Sequence, residues 1–254
     1  MAHATAGALA LEGDLEQIAA LLEAQGDGAV HITDEDGRTM LHWAASGGHA
    51  AVVGLLLEKG ALANALDESG WSALHIAVSG GRTEIVDALL SAGADPFAIN
   101  GSGQLALHYA ASRDRRDAAR LLLSAAGERA AAMASFPDRA QNTPLHRAAA
   151  QGLAEMVGVL LEAGALPESV DRDGATALHL AVIEQQRDVA RLLLDAGGPP
   201  LLAVKTSEGE TAPEIAADKA KQLYGMGEAH AVAVELAEML GAAPDADGGG
   251  GGGS

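Results

Sequence analysis

Histidine returns along this chain at His42, His75, His108, His146 and His179, at intervals of 33, 33, 38 and 33 residues. Each stands inside a copy of one stretch, GRTMLHWAASGGHAAVVGLLLEKG over residues 37–60, with a Gly-x-Thr/Ser-x-Leu-His opening, an Ala pair and a later Leu-Leu. A fixed period of this length marks a solenoid, whose helix-pair units are too small to bury their apolar faces alone and gain a core by stacking. The pattern therefore predicts an all-α repeat fold whose function lies on a surface rather than in one deep pocket.

Taken in order, the first unit reads as truncated. Only its second helix is visible, GDLEQIAALLE over 13–23, with Ile18, Leu21 and Leu22 on one face. The second unit opens at Gly37, with a first helix over about Met40–Ser46, a break at Gly47-Gly48, a second helix through Leu57 and a stop at Gly60. The third repeats this from Gly70 and stops at Gly93. The fourth, from Gly103, then departs: residues 124–140 carry five extra positions and predict an enlarged or irregular connection. Units near 141 and 174 restore the period. A degenerate seventh begins at Gly209, with Glu214 in the histidine's place. An amphipathic helix near 228–240, carrying Val232, Leu236, Met239 and Leu240, closes the stack.

Between units the turns DEDG, DESG, NGSG and DRDG end in glycine, as tight turns between short extended arms prefer, and are expected to project as loops. The expectation is one solenoid of about seven units over 1–243, folding as a single array, with a disordered Gly-rich tail at 244–254.

Only 2% of the chain is aromatic although 48% is apolar, so Ala, Leu and Gly must do the packing. A formal charge of −19 argues against binding nucleic acid by phosphate neutralisation and favours protein partners with a basic face. With no cysteine, disulfides, thiolate metal sites and cysteine nucleophiles are excluded. No basic region precedes the short apolar run at the N-terminus, and no apolar run approaches the ~20 residues of a membrane span. A soluble intracellular protein is expected.

The repeated histidines do not read as a metal site. Stacked helices stand about 8–10 Å apart, whereas zinc holds nitrogen at about 2.0–2.1 Å. Each histidine instead follows Thr39, Ser72, Thr143 or Thr176 by three residues, placing a hydroxyl beside the ring; Leu105 removes that partner for His108. The glycine pairs lack the preceding strand and following Lys-Ser/Thr of a phosphate loop. No catalytic set and no cofactor site stands out.

Binding is another matter. Trp71, just after the loop glycine, is expected to be exposed in the groove as an anchor, whereas Trp43 on the inner helix reads as core. Acids crowd the first two loops at Asp34, Glu35, Asp36, Asp67 and Glu68, partly as turn chemistry and partly as a lure for a basic partner. In the arginine cluster, Arg113 ends the inner helix and is the binding candidate, whereas Arg115, Arg116 and Arg120 read as solvating charge.

The segments LHWAASGGH, GWSALHIAVSGGRTEIVDALL, LALHYAASRDR, PLHRAAAQG and ALHLA resemble ankyrin repeats. Within that family, over about residues 9–240, the order of residues after each histidine (Trp43, Ile76, Tyr109, Arg147, Leu180), together with Trp71, resembles the gankyrin family, the chaperones of proteasome regulatory-particle assembly also called proteasome non-ATPase regulatory subunit 10.

The resemblance implies helix pairs with projecting hairpin loops and no catalysis. It implies a monomer, cytoplasmic and nuclear, whose concave face grips the C-terminal domain of one proteasomal AAA ATPase subunit, the third of the ring. Basic contacts fall on Arg38 and Arg113, and acidic ones on Asp36 and Glu68. Arg113 stands where that family has lysine, which keeps charge and alters geometry. The Leu-x-Cys-x-Glu segment by which the animal protein recruits the retinoblastoma pocket is Leu180-Ala-Val-Ile-Glu184 here, with Val182 for the cysteine. The alternative is a general ankyrin adaptor with an unrelated client.

Overall fold

The first helix of most repeats begins at the same chemical signal, and a computed structural model describing residues 2–242 shows how it works. At Thr39, Ser72, Thr143 and Thr176 the backbone is extended and a helix starts at the next residue. The amide of that cap residue donates to Nδ1 of the histidine three positions on, at 3.1, 3.3, 3.2 and 3.1 Å. An amide can only donate, so Nδ1 is the acceptor and the ring proton sits on Nε2. The cap hydroxyl closes on the same nitrogen at 2.8–2.9 Å. The histidine thus does what Glu does in an ordinary capping box. In the seventh unit Glu214 takes the role itself, accepting from both the amide and the hydroxyl of Thr211 at 2.8 Å.

The Nε2 proton then joins one repeat to the next. His42 donates to the Trp71 carbonyl at 3.0 Å, His75 to Gln104 at 3.1 Å and His146 to Ala175 at 3.0 Å. His108 keeps the amide contact from Leu105, at 3.1 Å, without a hydroxyl. His179 faces the backbone of Val204 and Glu210, yet its Nε2 lies outside hydrogen-bond geometry to either.

The chain divides into two compact units, Met1–Arg139 and Ala140–Ser254. In the first, helices α1 (Ala2–Glu12), α3 (Met40–Gly47), α5 (Ala73–Gly80) and α7 (Ala106–Ser112) pack side by side as an inner row. Helices α2 (Leu15–Gln25), α4 (Ala50–Glu58), α6 (Thr83–Ser91) and α8 (Arg116–Ala126) form the outer row. In the second unit α10 (Pro144–Ala150), α12 (Ala177–Ile183) and α14 (Ala212–Gln222) form the inner row, and α11 (Ala154–Glu162), α13 (Arg187–Gly197) and α15 (Glu228–Met239) the outer.

Inner helices approach closely because the residues between them are small. Ala44, Ala77, Ala110, Ala148 and Ala181 are wholly buried. Each repeat adds leucines such as Leu41 with Leu56, or Leu74 with Leu89, and each buried leucine contributes roughly 1.5–3 kcal/mol. The glycine pairs terminate inner helices: Gly48 and Gly81 adopt left-handed backbones, φ 83° and 69°. The next repeat's arginine lies against each, so a β-carbon would come within 2.7 Å of Arg82 at Gly48 and 3.0 Å of Arg115 at Gly81.

One expectation requires correction. The first unit is not truncated, since α1 supplies an inner helix that packs on α3; its alanine-rich sequence, AHATAGALALE, has no periodic large residues to announce it. The connection after α8 is enlarged, as its five extra positions predict, and is built from a 3-10 turn at Gly127–Arg129 and the short helix α9 (Ala130–Ala134). Met133 of α9 is fully buried, and the Arg129 guanidinium sits 3.7 Å from the Phe97 ring centroid. The closing helix buries Leu236 and Leu240 but leaves Val232 and Met239 half-buried. The Gly-rich tail lies outside the described residues.

Candidate functional site

The loops of the first unit share one geometry, which places the candidate residues. Asp34 Oδ1 accepts from the amides of Asp36 (3.0 Å) and Arg38 (2.9 Å), and Asp67 Oδ1 from those of Ser69 (2.9 Å) and Trp71 (2.8 Å). Asn100 Oδ1 repeats the pattern with Ser102 and Gln104. Each turn is flanked by a single antiparallel bridge, Thr33–Thr39, Leu66–Ser72 and Ile99–Leu105. Successive turns also bond to one another, Glu68 N–H to Asp36 O and Gly101 N–H to Ser69 O, which fixes the spacing of their side chains.

The second polar atom of the turn residue, Oδ2 of Asp34 or Nδ2 of Asn100, is aimed at an inner-helix side chain nine positions on. The Trp43 indole N–H donates to Asp34 Oδ2 at 2.8 Å. Asn100 Nδ2 donates to the Tyr109 hydroxyl at 2.7 Å, and that hydroxyl donates to Gln104 Oε1 at 2.6 Å. Between these two, the corresponding residue is Ile76, which can neither donate nor fill the space. A cavity of about 260 Å³ opens there, lined by Arg38, Trp43, Asp67, Ser69, Trp71 and Ile76 among others.

Arg38 reaches into this gap. Its guanidinium lies over the Trp43 ring at 5.0 Å, with Nε 3.5 Å from Asp67 Oδ2 and Nη1 3.9 Å from Asp36. Asp67 is only 5% exposed at its side chain, whereas Asp36 is 70% exposed. Trp71 is half-buried rather than exposed, because its ring packs at a tilt of 49° against Tyr109, centroids 4.6 Å apart. Trp43, expected in the core, is half-buried and lines the same cavity.

Four of the candidates, Asp36, Arg38, Glu68 and Trp71, therefore gather on the first two loops. Arg113 does not join them. It caps the far end of α7, a seven-residue helix about 10 Å long, away from the loop end of its own repeat, and is exposed, with Nη1 donating to the Ser79 carbonyl at 3.4 Å. Trp43 and Tyr109 belong to the site although the sequence did not single them out for it, and Asp67, expected only as one of the loop acids, forms its buried acceptor. The signal was available in the nine-residue spacing of Asp34 to Trp43 and Asn100 to Tyr109, interrupted at Asp67 to Ile76.

Charge at the site is shaped by burial. Burial pushes the imidazoles of His42 and His75 below the usual range, against the hydrogen bonds they donate to neighbouring backbone carbonyls and the Asp67 charge, so both rings are neutral donors near neutral pH. Burial works against charge on Asp34 too, but the amide of Arg38, the Trp43 indole and the amide of Asp36 together hold its pKa below the ordinary carboxylate value. Among the described residues no group of three or more His, Asp or Glu is placed to hold a metal ion, and no helix is long and apolar enough to cross a membrane. The arrangement offers an aromatic, net acidic surface; the hydroxyl–imidazole pairs beneath it, Thr39 with His42 and Ser72 with His75, are buried in the helix caps.

Comparison with known proteins agrees with this geometry. The family described as ankyrin repeats (3 copies) matches residues 7–100, 65–132, 93–171 and 132–203. No curated protein sequence matches the chain. Among solved structures, the human ASB11 ankyrin repeat domain aligns with TM-score 0.74 and 25% identity, over 91% of this chain and 96% of that one. The ankyrin repeat domain of Bcl-3, a member of the IκB family, aligns with TM-score 0.72 and 26% identity, over 83% and 92%. A chain from the complex of the predatory endopeptidase Bd0816 of Bdellovibrio bacteriovorus with immunity protein Bd3460 aligns with TM-score 0.67 and 26% identity, over 75% and 96%.

Proposed function

The chain belongs to the ankyrin-repeat family, and from that premise we propose that it is a non-catalytic module binding another protein through the loop and inner-helix face of its first unit. The observation that carries this is the cavity beside Trp71, where two indoles, a buried carboxylate and an arginine meet on a surface fixed by hydrogen bonds between successive loops. Large aromatic groups set in such a depression are the usual anchors of protein interfaces. Affinity capture with the wild-type chain and with Trp71→Ala tests it. Bound protein is expected with the first and at least tenfold less with the second, the cost of roughly 1.4 kcal/mol or more at an anchor; equal recovery would contradict the proposal.

The finer reading is an assembly chaperone that engages the C-terminal domain of a proteasomal AAA ATPase subunit in the cytoplasm and nucleus. Its support is the order Trp43, Ile76, Tyr109, Arg147, Leu180 after the repeated histidines. Titrating that purified domain into the chain, with Arg113→Glu as the variant, tests the reading directly, and no binding by the wild type would remove it.

One observation favours the other reading, an adaptor with a different client. Arg38, which the gankyrin-like scheme would give to an acidic partner, is already engaged with Asp67, Asp36 and the Trp43 ring. The Bd3460 complex adds a third possibility for such a face, a bound peptidase, which the same capture experiment would reveal.

A further inference from the structure

The cavity at Ile76 carries more than a place of contact. In the repeats on either side, the second polar atom of the turn side chain is bonded to its own inner-helix aromatic, Asp34 Oδ2 accepting from Trp43 and Asn100 Nδ2 donating to Tyr109. Asp67 Oδ2 has no such donor, because Ile76 has none to give. Its contact among the described residues is Arg38 Nε at 3.5 Å, long for a charge-assisted bond, which closes at about 2.7–2.9 Å. A nearly buried carboxylate is thus held by one stretched cation at the floor of an open cavity flanked by two indoles.

We propose that this cavity is a seat for one lysine or arginine side chain of the partner protein, and that Arg38 occupies the seat as a placeholder in the free chain. Three features fit a basic side chain better than an acidic or apolar one. The cavity holds about 260 Å³, enough for a four-carbon stem between Trp43 and Trp71. Its acceptor is Asp67 Oδ2, and indole faces attract cations. The two loops that frame it bring Asp34, Asp36, Asp67 and Glu68 against Arg38 as the one arginine lining the cavity, so the local balance is acidic.

Arg38 can leave without being stranded. It is 37% exposed, and Asp36, 70% exposed, already stands 3.9 Å from its Nη1. The partner's cation takes Asp67 while Arg38 turns to Asp36. The proposal rests on the protein-binding reading and inverts the role of Arg38: it competes with the partner's basic group instead of contacting an acidic one.

The test needs no partner. The chain has two tryptophans, so its indole N–H pair in a ¹⁵N-labelled sample reports the two walls of the cavity, Trp43 and Trp71. N-acetyl-lysine methylamide is titrated in, with the norleucine and glutamate analogues as apolar and acidic controls. Saturable shifts of both indole signals are expected with the lysine probe alone. Arg38→Gln should tighten its binding by up to about fivefold, the weight of one partly exposed ion pair.

Asp67→Asn should abolish the shifts without unfolding the chain, since Asn100 makes the same turn naturally. Stronger binding of the glutamate probe, lost on Arg38→Gln, would overturn the proposal. So would equal binding of norleucine, or no saturable shift in Arg38→Gln. These outcomes bear on the seat alone, because Trp71→Ala in the capture experiment reports separately whether the face binds protein at all.

Discussion

Ile76 shows how much one residue decides in a repeated frame. Position 76 is occupied by an aliphatic side chain where the preceding and following repeats carry Trp43 and Tyr109, and the absence of a ring both opens the cavity and leaves Asp67 underbonded. Ile76→Tyr should supply the hydroxyl that Tyr109 gives Asn100 and fill the space. The expected result is a gain of about 1 kcal/mol in unfolding free energy by urea titration, from one buried hydrogen bond to a charged group less some strain, with loss of the lysine-probe shifts. A cavity that stays open and still binds the probe would contradict the geometry.

The same scale sets the pH response. Burial lowers the folded-state pKa of His42, His75 and His179 from the ordinary value of about 6.5. As pH falls through that value the unfolded chain takes up protons first. The stability contributed by these rings is therefore complete above about pH 6.5 and is lost as pH falls through their folded values, at up to about 1.4 kcal/mol per pH unit for each. Carboxylates, titrating near pH 4, contribute little there. The urea midpoint should drop steadily between about pH 7 and pH 5.5; a flat midpoint would mean that the rings do not carry the contacts described.

At the scale of helices and turns, most of the fold was legible in the sequence because its determinants are local and repeated. Thr39 with His42, Ser72 with His75 and Gly48 after α3 are signals within a few residues, and the helices begin and end where they predict. Thr143→Val removes a hydroxyl from one such start and should cost about 1–2 kcal/mol in urea unfolding; a cost near zero would show that the ring and the amide suffice, as Leu105 and His108 manage in the fourth unit.

What escaped the sequence lacks a periodic signature. Helix α1 is built from alanine and has no apolar stripe to display. Helix α9 is five residues long and is anchored by Met133 alone among its large side chains. Met133→Ala should cost about 2–4 kcal/mol by the same measurement, the penalty of emptying a buried site, and a negligible change would mean that α9 does not dock. The site was legible in part: Trp71, Asp36 and Glu68 could be picked out one by one, but the cavity between them follows from which ring is missing. That is a property of three neighbouring repeats compared, not of any one motif.

For the whole molecule the account reduces to a division of labour. The histidines, hydroxyls and buried alanines are spent on holding repeats together. What the first unit presents is a fixed, net acidic face on a chain of formal charge −19, suited to a basic partner whose approach is sped by the field and slowed by salt.

The central claim, that this inner face and not the outer helices holds the partner, is open to one direct measurement. A photo-crosslinking benzoylphenylalanine is placed at Ser46, exposed at the edge of the cavity, or at Arg120, exposed on α8. The chain is irradiated in cells and adducts are identified by mass spectrometry. A partner adduct from Ser46 with none from Arg120 is the predicted result, and an adduct from Arg120 alone would contradict it.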